Sequence, residues 1–144
     1  MLYEWEEVNQ DFLAKAKIFH YGSISLINEP VRSTTIKMAK KVREMGNLVS
    51  YDPNLRMPLW QNKNKAWKWI VEGLKTANIV KMSVEEMMFI TGEDKIDSAV
   101  PKIMDYGIEL LFITLGAKGS YYYNGKVSGI VPGFKVEVRY YRCR

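Results

Sequence analysis

The sequence predicts an α/β fold, a mainly parallel sheet with flanking helices in three layers, on three observations. Short apolar runs of strand length alternate with longer segments whose apolar residues recur at helical spacing. Glycine or proline punctuates most of the junctions between them. The most apolar run, Leu110-Leu111-Phe112-Ile113-Thr114-Leu115, has the length and composition of a strand inside a parallel sheet. Strands alternating with helices are joined by right-handed crossovers, which implies a sheet covered on both faces.

The elements follow in order. Lys17-Ile18-Phe19-His20-Tyr21, closed by Gly22-Ser23, is a strand running into a loop. Pro30 opens a helix through Met45 with Val31, Ile36, Met38, Ala39 and Val42 near helical spacing, and Gly46 stops it. Leu48 to Tyr51 is a strand broken by Asp52-Pro53-Asn54, and the helix from Lys63 to Lys75 carries Trp67, Ile70, Val71 and Leu74 on one stripe. Ala77 to Lys81 reads as a strand, Ser83 to Ile90 as a helix stopped near Gly92, and Ser98 to Tyr106 as a helix ended by Gly107. After Leu115 come two short strands, Ser120 to Tyr123 and Val127 to Val131. Asn124-Gly125 between them is the dipeptide of a two-residue hairpin turn, since both residues can take positive φ.

Composition narrows the functional classes. The chain has 144 residues, 47% apolar and 26% charged, which suits one globular domain or part of one. No apolar run approaches membrane-spanning length, so no membrane partner is expected. The acidic start Glu4-Trp5-Glu6-Glu7 is unlike a secretory leader and reads as internal to a fold. The single cysteine, Cys143, points to a reducing, cytoplasmic setting, with a plastid location left open. Of the formal charge of +5, Arg139, Arg142 and Arg144 contribute +3, and the other basic residues are scattered on helices. No nucleic-acid partner is therefore expected. His20, the lone histidine, reads as a structural strand residue, and no nucleophile with a base can be assembled around it. The methionines and tryptophans read mostly as core.

In an open parallel sheet, ligands bind beyond the carboxyl ends of the strands. Three motifs fall there. Asp52-Pro53-Asn54-Leu55-Arg56 gathers a carboxylate, an amide and a guanidinium suited to hydroxyls and phosphate, although Asp-Pro-Asn is equally turn chemistry. Ser83 and Glu86 have the spacing of a capping box, and Glu86 could instead order water around a magnesium ion. Thr114-Leu115-Gly116-Ala117-Lys118-Gly119 could bring backbone amides close to a phosphate, or form an ordinary turn.

The order and wording of these motifs resemble the fructokinases of the ribokinase (PfkB) family, especially those of plants. The residues that carry the resemblance are Phe19 to Ile27, Ser50 to Arg56 with Pro58-Leu59-Trp60, the Lys81-Met82-Ser83 helix start with Glu86, Thr114 to Gly119, and Val131 to Val136, within a span from about Phe12 to Val138. The resemblance implies a three-layer ribokinase-like (Rossmann-like) fold, here incomplete, and ATP-dependent phosphorylation of fructose to fructose 6-phosphate. It implies that Asp52, Asn54 and Arg56 lie near sugar and transferred phosphate, that Glu86 serves Mg2+ through water, and that Ser83, Thr114, Gly116 and Gly119 meet ATP. Ser83 stands where many relatives carry asparagine. A dimer is left open.

Two parts of the family pattern have no match, so residues 1–138 read as a partial kinase domain. The amino-terminal glycine-rich sugar-binding segment has no counterpart here. Relatives also continue into an Asp-Thr-Thr-Gly-Ala-Gly-Asp motif that supplies an anion hole and the general base, where this sequence reads Arg139-Tyr140-Tyr141-Arg142-Cys143-Arg144. One permitted coding of those six residues, AGA TAC TAC AGG TGC AGG, yields Asp-Thr-Thr-Gly-Ala when its first base is dropped. The expectation is a frame error or miscalled splice junction near Val138 and a chain with little activity of its own, and codons across that junction that give no such motif in a neighbouring frame refute it. The alternative is a non-catalytic fragment that binds a full-length kinase or another partner through an uncovered sheet edge.

Overall fold

A computed structural model describes residues 2–135. The tail at 139–144, with its expected frame error, lies outside the described residues, as does the last residue of the Val131 to Val136 match. The elements are α1 (Gln10–Lys15), β1 (Ile18–Gly22), α2 (Val31–Glu44), β2 (Leu48–Asp52), α3 (Lys63–Leu74), β3 (Ile79–Ser83), α4 (Val84–Thr91), α5 (Ile96–Met104), β4 (Leu110–Thr114), β5 (Ser120–Tyr123) and β6 (Ser128–Val131). Short 3-10 turns at Trp5–Glu7, Ser23–Leu26, Met57–Leu59 and Gly116–Lys118 link them. The six strands form one sheet in chain order, with β1 to β4 parallel and β5 and β6 antiparallel.

Because sheet order equals chain order, each parallel crossover steps the same way, and right-handed crossovers then place the connecting helices on the same face. The sheet is accordingly not covered on both faces among the described residues. Tyr21, Val49, Tyr51, Val80, Met82, Leu111 and Ile113 point to the helices and are buried. Their strand neighbours Ile18, His20, Leu48, Ser50 and Lys81 point the other way, and Ile18 and Leu48 are 55% and 39% exposed. The described residues form the sheet and one helical layer, so the three-layer architecture is incomplete.

The helical layer seals by close packing. Tyr51 and Tyr21 lie ring against ring at 4.7 Å, and the Tyr21 hydroxyl meets Gly73 O at 2.9 Å and Thr76 Oγ1 at 2.6 Å. Gly73 lets α3 sit on that pair, since a Cβ there would lie 2.7 Å from Tyr51 Cζ. Ile70, Leu74, Met87 and Ile103 complete the interior with no exposed surface. At the amino-terminal end of the strands, Asn78 binds both neighbours of β3. Its Oδ1 accepts from Val49 N at 3.0 Å, its Nδ2 donates to Glu109 Oε1 at 2.7 Å, and its carbonyl accepts from Glu109 N at 2.8 Å.

That clamp explains why β3 begins at Ile79 rather than Ala77 and runs on to Ser83. The other helices and strands match expectation within one or two residues. Gly92 ends α4 in the left-handed conformation, with its N–H on Met88 O at 2.9 Å. The turn at Asn124-Gly125 differs from the expected two-residue form. Only Gly125 has positive φ, while Asn124 Oδ1 accepts from Lys126 N and Val127 N at 3.1 and 2.8 Å, making a side-chain-closed turn. Helix α1, capped by Asn9 through Phe12 N at 2.9 Å, is an element that apolar periodicity did not mark. His20 is exposed on the bare face with Nδ1 3.1 Å from Ser50 Oγ, and Trp67 is 43% exposed with its indole N–H on Ile90 O.

Candidate functional site

The carboxyl ends of the parallel strands lie together, Gly22 opposite Asp52 and Ser83 opposite Thr114. The loop after β2 is tied to the end of β1 by Ser23 N, which donates to Pro53 O at 3.2 Å. Within it Asn54 takes a φ of 41°, which asparagine tolerates better than most side chains, and its side chain is exposed. Asp52 ends β2, and residues 53–56 form neither a hydrogen-bonded turn nor a bend, so the segment is an extended loop that presents the Asn54 amide to solvent.

Glu86 joins this loop to the next. Its Oε2 accepts from Ser83 N at 2.7 Å and Ser83 Oγ accepts from Glu86 N at 3.2 Å, the expected capping box. Its Oε1 accepts from Leu55 N at 2.6 Å, across from α4 to the loop after β2. One buried carboxylate therefore fixes two of the three motifs against each other. Charge-assisted bonds of this kind are roughly twice as strong as neutral ones.

Around Glu86 opens a cleft of about 280 Å³ lined by Asn54, Leu55, Lys81, Ser83, Glu85 and Glu86. Asp52 stands behind it, its Oδ2 2.9 Å from Lys81 Nζ and its buried Oδ1 without a hydrogen-bond partner among the described residues. Arg56 is exposed beside Leu55 and makes no ion pair or side-chain hydrogen bond among the described residues. The Glu85 carboxyl is held below its ordinary range by its own backbone N–H and by Ser83.

The third motif adjoins without lining the cleft. Thr114 sits beside Ser83, and its Oγ1 donates to Met82 O at 3.4 Å. The loop beyond it closes through Leu115 N to Gly119 O at 2.8 Å, with Gly116 and Gly119 at φ 60° and 104°. Gly119 is pressed against the chain after β6, where a Cβ would lie 1.9 Å from Val131 O. The loop is therefore held from both sides.

Lys81 is the member that site selection from sequence missed. It is visible as a lysine flanked by the apolar strand residues Ile79, Val80 and Met82, a position that needs a carboxylate neighbour or open solvent. Among the described residues no group of three or more His, Cys, Asp or Glu side chains forms a ready metal cage.

Comparison with known proteins agrees with the fold. Probable fructokinase-4 of Arabidopsis thaliana is 46% identical over 138 residues, 95% of this chain but 42% of that protein. The chloroplastic probable fructokinase-6 of the same plant is 48% identical over 96% of this chain and 36% of its own length. A fructokinase double mutant from Vibrio cholerae O395, crystallised with fructose, ADP and potassium, superposes with a TM-score of 0.86 at 32% identity, covering 94% of this chain and 43% of that one. The chain thus spans about two fifths of the length of the relatives it matches. With residues 1–139 matching the description "pfkB family carbohydrate kinase", the chain belongs to the pfkB family of carbohydrate kinases.

Proposed function

We propose that the chain carries the nucleotide- and phosphate-facing part of a fructokinase-type site, whose reaction is in-line transfer of the γ-phosphoryl group of ATP to a hydroxyl of fructose. The observation that carries the reading is the Glu86 bridge to Leu55 N and Ser83 N, because it brings the Asp52 to Arg56 loop onto the helix start beside Thr114. Phosphoryl transfer asks a protein mainly for positioning and charge stabilisation.

Each residue then has a role. Arg56, free of protein partners among the described residues, offers forked donors to a phosphate. Asn54 presents its amide to sugar or phosphate oxygens, and Asp52 with Lys81 sets the charge at the strand ends. Ser83 and Thr114 supply hydroxyls and Gly116 a backbone amide along the nucleotide, while Gly119, whose N–H is held by Gly116 O at 3.1 Å, shapes the loop there. Asp52, Glu85 and Glu86 against Lys81 and Arg56 leave the region one negative charge in excess, which repels a bare phosphate and suits one that arrives with Mg2+. Glu86 would hold that ion through water, since both its oxygens already accept backbone amides. The ion supplies neutralisation of the phosphate charge.

The 144-residue chain alone should turn over slowly, because its sequence contains no Asp-Thr-Thr-Gly-Ala-Gly-Asp segment to act as anion hole and general base. Each of those contributions is worth about 100-fold or more. The test is ADP binding by calorimetry together with a coupled kinase assay on the same preparation. Magnesium-dependent ADP binding with negligible fructose phosphorylation is expected. Turnover at ordinary kinase rates overturns the inactivity, and no nucleotide binding overturns the site. The bare sheet face, with Ile18 and Leu48 exposed, favours a second reading in which the fragment binds a partner such as an intact kinase. Co-purification with an intact kinase tests it.

A further inference from the structure

A second cavity, of about 330 Å³, opens between the start of α2, the start of α3 and the chain leading into α3, and it shares no lining residue with the Glu86 cleft. Its walls carry Arg32, Lys65 and Lys68 against the single carboxylate Glu29, a surplus of two positive charges. Two of these cations lie against the Trp69 ring, Arg32 Cζ at 4.0 Å and Lys68 Nζ at 5.1 Å from its centre. Cations over an indole are held in place by its quadrupole, which lowers the cost of presenting them to a ligand.

Arg32 is committed to the frame. It binds Glu29 Oε1 through Nε at 2.9 Å and through a terminal nitrogen at 2.8 Å, and reaches Ile27 O at 3.3 Å. Glu29 also receives Ser33 N at 3.1 Å, so the pair closes the opening of α2 rather than the cavity. Lys65 and Lys68 are one turn apart on α3 and exposed, and the only side-chain partner of Lys65 Nζ among the described residues is the neutral Gln61. Asn62 already caps Lys65 N at 2.9 Å, so the anion would be held by the ammonium groups, not by the helix end. Trp60, 8% exposed, supplies an apolar wall.

We propose that this cavity is a separate binding site for a small phosphate monoester, a sugar phosphate in chemical class. A phosphate monoester carries about two negative charges at neutral pH, which the surplus matches. Lysine ammonium groups receive its oxygens as point charges, and the Trp60 wall takes the carbon skeleton. Its chemistry differs from that of the Glu86 cleft, whose lining has the opposite charge balance.

The test titrates the 144-residue chain with glucose 6-phosphate, glucose and inorganic phosphate, following heat and tryptophan fluorescence. Glucose 6-phosphate should bind, inorganic phosphate more weakly, and glucose not at all. The double substitution Lys65→Gln with Lys68→Gln should weaken binding about tenfold or more, the size expected when two charge-assisted contacts are lost. Lys40→Gln with Lys41→Gln, which removes the same charge from the outer surface of α2, should change it less than about twofold. Arg56→Ala should leave it unchanged. No binding at millimolar ester, equal affinity for inorganic phosphate, equal loss in the two lysine pairs, or loss on Arg56→Ala would each overturn the assignment.

Discussion

Lys81 Nζ lies 2.9 Å from Asp52 Oδ2, an ion pair between adjacent parallel strands at the edge of the candidate site. Lys81 is 47% exposed and Asp52 25%, so solvent screens the pair and its contribution to stability is small. Its larger effect is on charge, since Lys81 is the one cation that lines the cleft among the described residues. Lys81→Met should therefore cost less than about 1 kcal/mol in urea unfolding, while ADP affinity falls several-fold. Pairing it with Asp52→Asn should restore part of the affinity. Calorimetry on the single and double substitutions measures the coupling, and purely additive losses would show that the pair does not set the charge of the site.

Glu86 is a tie between loops before it is anything else. Glu86→Gln keeps one acceptor oxygen but turns an amide donor toward either Leu55 N or Ser83 N, so one bond is lost and two donors face each other. A loss of about 1.5–3 kcal/mol is expected, the range for hydrogen bonds to charged groups. Hydrogen exchange at the Leu55 and Ser83 amides should accelerate with little change in β1. Unchanged exchange at Leu55 would show that the bridge does not hold the loop.

The parallel sheet was legible because Val49, Val80 and Leu111 lie in short apolar runs between helical stripes, and local pattern decides element type. What pattern could not show was which face each crossover takes, since that depends on strand order. The same limit hid the Glu86 to Leu55 bond: the capping box is a three-residue signal, whereas Leu55 and Glu86 are 31 residues apart. Asp52, Asn54 and Ser83 were legible as loop and cap residues, and Lys81 was passed over because its carboxylate partner lies on another strand.

Gly73 is set by Tyr51. A Cβ at Gly73 would lie 2.7 Å from Tyr51 Cζ and 3.0 Å from Leu26 Cδ1, and both side chains are fully buried. Alanine gains about 1 kcal/mol in intrinsic helix propensity over glycine, but overpacking a core costs about 1–3 kcal/mol. Gly73→Ala should therefore lower stability by up to about 2 kcal/mol, which for a domain near this size is several degrees in the thermal midpoint. A raised midpoint would show that the Tyr51 ring yields without cost.

The two tyrosines packed against each other give the fold an alkaline limit. Burial pushes the Tyr21 hydroxyl well above its ordinary range against the lowering contact from Thr76, and burial pushes Tyr51 up likewise, reinforced by Tyr21, Glu86 and Asp52. In the unfolded chain both ionise near pH 10. Below that pH both states hold the protons and stability is constant. Above it the unfolded chain releases them first, so each tyrosine removes about 1.4 kcal/mol per pH unit until the folded group also ionises. Tyr21→Phe should roughly halve this slope and cost about 1 kcal/mol at neutral pH, because it gives up the bonds to Gly73 O and Thr76. Tyr51→Phe should reduce the slope similarly at a smaller neutral-pH cost, since its hydroxyl makes no hydrogen bond among the described residues. Urea unfolding at intervals from pH 8 to pH 12 resolves slope from offset, and equal slopes in all three proteins would mean that neither ring is kept neutral by the fold.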